Sequence, residues 1–301
     1  MYFSPTLVSL FLATTSLVEA RTHAKKRCDD PPATALPTTA YGPGFSTNDP
    51  PKATSTNTAS SPAETPDVPP GGHYLDFSTF DPSTGSAEAF LNKNGYMVSS
   101  YAIENDGVAG SIPREFIKSN VDIVDGALRL KITGQSGKGM IKSAEIESYE
   151  DVLYGTLETW AKGTPVKGAC QGIFFYDSDQ AEVDIELLSS YYTEGYRQYL
   201  SEGVQFTNQA LVKGQDSTSK GQKYGFDATD DFHNYTIQWT EKESRFFIDG
   251  DLREEFDTNV PVGIPSKIIY NNWSNGDPKW SAGPPSDDAY FEIKSFKYTP
   301  L

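Results

Sequence analysis

Between residues 127 and 298, apolar and polar residues alternate with a period of two in one segment after another. Ala127-Leu128-Arg129-Leu130-Lys131-Ile132 is one such run, Tyr235-Thr236-Ile237-Gln238-Trp239 another, and Tyr290-Phe291-Glu292-Ile293-Lys294-Ser295-Phe296-Lys297-Tyr298 a third. Successive side chains on a strand point to opposite faces, so this period specifies half-buried β-strands and excludes amphipathic helices. Turn formers punctuate the runs. Arg245-Phe246-Phe247-Ile248 leads into Asp249-Gly250, a hairpin signal, and Ser274-Asn275-Gly276-Asp277-Pro278 and Gly283-Pro284-Pro285 mark further breaks. No stretch of a dozen residues keeps a clean helical period. The pattern predicts an all-β domain of two packed antiparallel sheets over residues 71–301.

The segments before that domain have another character. Leu7 to Val18 is a short apolar run ending at Val18-Glu19-Ala20, and it reads as a signal peptide over residues 1–20. It is too short to span a bilayer, which needs roughly 20 apolar residues. Residues 21–70 read as a disordered tail. Lys25-Lys26-Arg27 offers a dibasic processing site, and Asp29 to Pro70 holds ten Pro, eight Thr and four Ser, too little apolar surface to offset the entropy of ordering. The expectation is a secreted, extracellular or wall-located monomer.

Charge and composition exclude several functions. A formal net charge of −16 repels phosphate backbones and anionic membrane surfaces, so neither nucleic acid nor membrane is expected as a partner. Three His and two Cys are too few for a zinc site of the usual kind, and they leave almost no base for a Ser-His-Asp triad. Cys28 falls in the tail and Cys170 in the domain, and a free, buried Cys170 is the plainer expectation. His73 and His233 are expected to serve as local hydrogen-bonding groups.

The chemistry concentrates in Ala181-Glu182-Val183-Asp184-Ile185-Glu186-Leu187-Leu188. Val183, Ile185 and Leu187 take one face of a strand, and Glu182, Asp184 and Glu186 the other. Same-face neighbours are roughly 6.6 Å apart by rise alone. Nothing basic is interleaved to relieve the repulsion, which a solvated face would avoid. Glu182 and Glu186 have Cα atoms about 13 Å apart on a flat strand. Curvature and converging side chains can bring the carboxyl groups toward the roughly 5–5.5 Å of a retaining glycosidase, in which one acid attacks the sugar and the other protonates the leaving oxygen. Asp184 stands between them, placed to hold them in unequal protonation states. Spacing does not say which Glu plays which part.

The Glu182–Glu186 segment resembles the catalytic motif of glycoside hydrolase family 16. The likeness extends to Ile141–Ile146 and Leu153–Trp160, which resemble that family's paired strands ahead of the active-site strand. It also covers Phe232–Trp239 with Phe247–Gly250, and Asn271–Gly276 with Trp280-Ser281 and Asp287–Tyr290. The resemblance implies a concanavalin A-like jelly roll acting on β-glucan, with Glu182 as nucleophile, Glu186 as acid/base and Asp184 assisting. A single residue separates Asp184 from Glu186, the form without a bulge, which licheninase-like glucanases and wall transglycosylases share. Three readings follow: an endo-β-glucanase for 1,3- or mixed 1,3/1,4-linked glucan, a transglycosylase on the same fold, and a lectin with a dead site, against which the intact acid trio argues.

Sugar rings stack on aromatic faces, and Trp160, Trp273 and Trp280 are the candidate platforms, while Trp239 alternates into the core. Val204–Gln209 reads as the strand beside the catalytic one. Asn208 on it, which shares a face with Phe206, and Asn272 beside Trp273 are the candidate partners for sugar hydroxyls. Asn234-Tyr235-Thr236 is a glycosylation sequon, and Asn272-Trp273-Ser274, inside the proposed cleft, is expected to be used poorly. The mechanism calls for no cofactor. A structural calcium is compatible with the implied fold, although no acidic loop of suitable spacing marks a place for it.

Overall fold

The structure, a computed structural model, describes residues 67–135, 139–191 and 203–301. The expected signal peptide, Cys28 and the tail up to residue 66 lie outside the described residues. In chain order the strands are β1 His73–Asp76, β2 Tyr96–Val98, β3 Tyr101–Ile103, β4 Arg114–Phe116, β5 Val121–Val124, β6 Ala127–Ile132, β7 Ile141–Ser148, β8 Gly155–Lys162 and β9 Cys170–Ser178. They continue with β10 Ala181–Leu188, β11 Val204–Asn208, β12 Thr218–Gln222, β13 His233–Trp239, β14 Ser244–Ile248, β15 Asp251–Phe256, β16 Lys267–Trp273 and β17 Ala289–Thr299. One short helix, Ala87–Lys93, starts on the Ser86 cap, whose hydroxyl accepts from the Ala89 N–H.

Two sheets stack. The first runs β15-β14-β13-β8-β17-β6-β5, with β1 added against β17, and the second runs β12-β11-β10-β9-β16-β7-β4-β3, with β2 against β7. Pairing is antiparallel except between β4 and β7. The fold is therefore the expected all-β jelly-roll sandwich. One expectation is corrected here. Ile141–Ile146 lies in β7 and Gly155–Trp160 in β8, but these strands do not pair with each other: β7 lies between β16 and β4 in the second sheet and β8 between β13 and β17 in the first. The chain crosses between sheets instead of turning back on itself, and no local signal marks the crossover.

The period-two residues meet in the middle. Leu157, Ile237, Trp239, Phe246 and Phe296 from the first sheet pack in one cluster with Ile173, Val183, Ile185, Phe206 and Tyr270 from the second. Each such side chain contributes ~1.5–3 kcal/mol on burial. Trp239 is fully buried, as its alternation predicts, and donates its indole N–H to the Pro261 carbonyl at 3.0 Å. Asp249-Gly250 joins β14 to β15 with Ile248 opposite Asp251. Both residues have positive φ, 53° and 84°, the type I′ geometry whose twist matches that of the strands it links. His233 pairs with Asp249 at 2.7 Å, a local hydrogen-bonding role as expected. No described helix is long and apolar enough to cross a membrane.

Candidate active site

β10 is central in its sheet, between β9 and β11, and all eight of its residues are buried. Its odd residues, Val183, Ile185 and Leu187, are 0 % exposed in the inter-sheet core. Parity therefore sends Glu182, Asp184 and Glu186 to the outer face of the second sheet. The register shifts once, between Ala181 and Glu182, and then runs unbroken from Glu182 opposite Tyr176 to Leu188 opposite Cys170.

The strands alongside supply the surroundings. On β9, Tyr176, Phe174 and Gly172 stand opposite Glu182, Asp184 and Glu186. On β11, Thr207 and Gln205 stand opposite Asp184 and Glu186. Gly172 is the place where a side chain is not tolerated: a Cβ there would lie 2.5 Å from Asn271 Oδ1 and 3.1 Å from the Phe174 ring. The strand keeps a glycine because a neighbouring side chain crosses its backbone. Gln209 donates to Asp184 Oδ2 at 3.4 Å, and the Cys170 thiol donates to Glu186 Oε1 at 3.1 Å. Cys170 is thus free of a disulfide and buried, as expected.

A cleft of about 320 Å³ opens beside Glu182, lined by Tyr101, Arg114, Glu145, Tyr176, Asn271 and Trp273 among others. Glu145 accepts from the Tyr101 hydroxyl at 3.0 Å and from Asn271 Nδ2 at 3.2 Å. Burial first, and then the Glu145 charge, push the Tyr101 phenol well above its ordinary pKa. It stays a neutral hydrogen-bond donor. The Arg114 guanidinium lies 4.5 Å over the Trp273 ring and is itself held by Asp106 at 2.8 Å. Burial alone would raise the Asp106 pKa, but hydrogen bonds from Ser111, Asn275 and Arg114 outweigh it and hold the carboxyl below its usual range. A charged, hydrogen-bonded pair thus packs against the aromatic ring.

The sequence-predicted binding residues divide. Trp273 lines the cleft, and half-buried Trp280 packs onto the same cluster with Tyr191, Leu188 and Cys170. Asn208 does not reach the cleft. It shares the face of Phe206, as expected, but that face is the core side, and its carboxamide donates to the Thr258 carbonyl at 3.0 Å. Asn272 likewise shares the parity of Ile268 and Tyr270, is 0 % exposed, and donates to the carbonyls of Leu130 and Ala289 at 2.8 and 3.0 Å. Its neighbour Asn271 is the residue that faces the acids. Trp160 is in the other sheet, on the outer face of β8, and is 43 % exposed. The alternation of Ile268 and Tyr270 was a signal sufficient to choose Asn271, whereas Glu145, Arg114 and Tyr101 meet the site only through long-range register. Among the described residues, no group of three or more His, Cys, Asp or Glu is placed to hold a metal ion.

Comparison with known proteins places this geometry. The model of the glycosyl hydrolases family 16 matches residues 113–290. The chain belongs to that family. It is a glycoside hydrolase by family. A β-glucanase of Paenibacillus polymyxa is 27 % identical over 182 residues, which cover 58 % of this chain and 71 % of that protein. Congo red hypersensitive protein 1 of Saccharomyces cerevisiae is 28 % identical over 137 residues, 44 % of this chain, and the match spans only 25 % of the yeast protein. Among solved structures, the Bacillus licheniformis β-glucanase aligns with a TM-score of 0.59 at 21 % identity, over 76 % of this chain and 98 % of that one. The apo Crh5 transglycosylase aligns with a TM-score of 0.53 at 17 % identity, over 76 % and 84 %. At these identities the two structures establish the fold.

Proposed function

We propose that the protein is a secreted, retaining endo-β-glucanase that cuts 1,3- or mixed 1,3/1,4-linked β-glucan. The observation that carries this reading is the row Glu182, Asp184 and Glu186 on one face of β10, beside a cleft walled by Trp273 and Asn271. Glu182 is the nucleophile. Its carboxylate bonds to the anomeric carbon as the glycosidic C–O bond breaks, and Glu186 gives its proton to the departing oxygen. Water then attacks the same carbon, passes a proton to Glu186 and releases Glu182. Asp184, held by Gln209, keeps the two glutamates in opposite protonation states. The chemistry needs no cofactor, and the net charge of −16 suits a neutral polymer, which requires no electrostatic steering.

The test is a screen of the purified protein on laminarin, lichenan, cellulose, xyloglucan and agarose, with products resolved by length. Shorter products from laminarin or lichenan support the reading, and Glu182→Gln and Glu186→Gln each lower kcat by about a hundred- to ten-thousandfold. Activity of Glu186→Gln within a few-fold of wild type removes it as the acid. A second reading, transfer of the glycosyl unit to another glucan chain, uses the same fold as the Crh5 transglycosylase. It shares the first step and differs in the acceptor, so products longer than the substrate decide for it.

A further inference from the structure

Trp160 stands apart from the other tryptophans of the chain. Trp239 and Trp273 are buried and Trp280 is half-buried, whereas Trp160 is 43 % exposed on the sheet opposite the catalytic one. Its surroundings form an open trough of about 520 Å³ lined by Tyr74, Glu158, Trp160, Ser295, Phe296 and Lys297. Strand register explains the trough. Tyr74, Lys297 and Glu158 are cross-strand partners on β1, β17 and β8, which places them in one row about 10 Å across. Ser295 and Trp160 form the next row. Just beyond that second row β17 shifts register, from Ile293 opposite Ala161 to Ser295 opposite Trp160, and the small Ser295 stands beside the Trp160 ring.

The polar groups around the ring are available. Among the described residues, neither Glu158 nor Lys297 is held in an ion pair, and the Trp160 indole N–H has no acceptor. Burial first, and then the Asp76 charge, raise the pKa of the Tyr74 phenol, which stays a neutral donor. An exposed indole flanked by a carboxylate acceptor, an ammonium donor and a phenol is the chemistry that holds a pyranose. The ring's C–H face stacks on the indole, and its equatorial hydroxyls reach donors and acceptors at the edge. A row of that length is longer than one sugar unit. We propose that this trough is a second binding site for a β-linked glucan chain, on the face opposite the cleft. The identity of the ligand rests on the proposed substrate class. Its consequence is multivalency: a polymer held at Trp160 raises the effective concentration of the same or a neighbouring chain at the cleft.

Trp160→Ala should leave hydrolysis of a short soluble β-gluco-oligosaccharide within twofold of wild type. It should lower both the rate on insoluble β-1,3-glucan and the retention of Glu182→Gln protein on that solid by roughly three- to tenfold, the worth of one lost aromatic contact. Trp160→Phe, which keeps a ring, should restore most of the retention. Equal retention of Trp160→Ala and its parent overturns the proposal. A wild-type protein inactive on every oligosaccharide, yet retained through Trp160, refutes the catalytic reading and supports this one.

Discussion

Replacing Asn272 by alanine separates a wall of the cleft from a tie in the core. The carboxamide of Asn272 is fully buried and its Nδ2 serves two carbonyls, Leu130 at 2.8 Å and Ala289 at 3.0 Å, which belong to β6 and β17 of the opposite sheet. Each such bond is worth about 0.5–1.5 kcal/mol net, and a buried acceptor left without its donor costs about 1–3 kcal/mol. Asn272→Ala should therefore lose roughly 2–4 kcal/mol. For a domain of this size each kcal/mol shifts Tm by about 2–4 °C, which gives a fall of roughly 4–16 °C. Hydrolysis per folded molecule at 20 °C should stay within about twofold, because the side chain faces away from Glu182. Asn271→Ala gives the opposite signature. Asn271 holds Glu145 and lines the cleft, so kcat/KM should fall about tenfold or more while Tm moves by less than in the neighbouring variant. Thermal melts read by near-ultraviolet circular dichroism, paired with initial rates on a soluble glucan, measure both. If Asn272→Ala keeps its Tm and loses activity, the assignment of faces on β16 is wrong.

Three further outcomes follow from contacts at the acids. Asp184→Asn should reduce kcat less than either Glu182→Gln or Glu186→Gln and chiefly displace the pH–rate profile; a loss equal to that of Glu182→Gln would mean the roles are misassigned. Cys170→Ala removes the thiol on Glu186 Oε1, and its expected effect is a two- to fivefold fall in kcat, with KM for a soluble glucan unchanged, since a thiol is a weak donor. Full activity of that variant would show that the contact has no part in the reaction. The Asp106 carboxyl has a folded pKa below its unfolded value, so its contribution to stability is complete above about pH 4 and is lost as the pH falls through the lower folded value. Wild-type protein should lose stability below pH 4 more steeply than Asp106→Asn, and identical slopes in acid melts would refute the sign.

How far the site was legible in the sequence depended on parity and register. The period of two placed Val183, Ile185 and Leu187 in the core and the three acids on the other face without any knowledge of the partner strands. The same rule, applied to Ile268 and Tyr270, assigns Asn272 inward and Asn271 outward. The expectation for Asn272 weighed its nearness to Trp273 over the alternation and so chose the wrong neighbour. Asn208 failed in a different way. Its shared face with Phe206 was read correctly, but a phenylalanine on a strand beside the catalytic one is equally compatible with a cleft and with a core. Trp160 failed because sheet membership is a long-range property: β7 and β8 are consecutive in sequence yet sit in different sheets. Glu145 was invisible for the same reason, being brought to the cleft by pairing with a strand more than a hundred residues away, Asn271 standing opposite it, and Arg114 reaches the cleft through the pairing of β4 with β3 and β7.

That dependence also explains why the acids can be buried at all. Glu182 and Glu186 are each 2 % exposed and Asp184 is 0 % exposed, so three carboxyl groups are withheld from most of their hydration, at a cost the fold must offset. The offset comes from the same eight residues. Every second side chain of β10 adds to the inter-sheet core, and a slip by one position would expose Val183, Ile185 and Leu187 while driving three carboxylates between the sheets. The penalty for slipping is thus the sum of both faces, far larger than either alone. The shift at Ala181/Glu182 takes up the irregularity of the turn from β9 before the first acid, so the stretch from Glu182 to Leu188 pairs without interruption. A carboxylate row of this kind is held in place by the hydrophobic residues between its members, and the position of the chemistry is as well specified as the packing of the core.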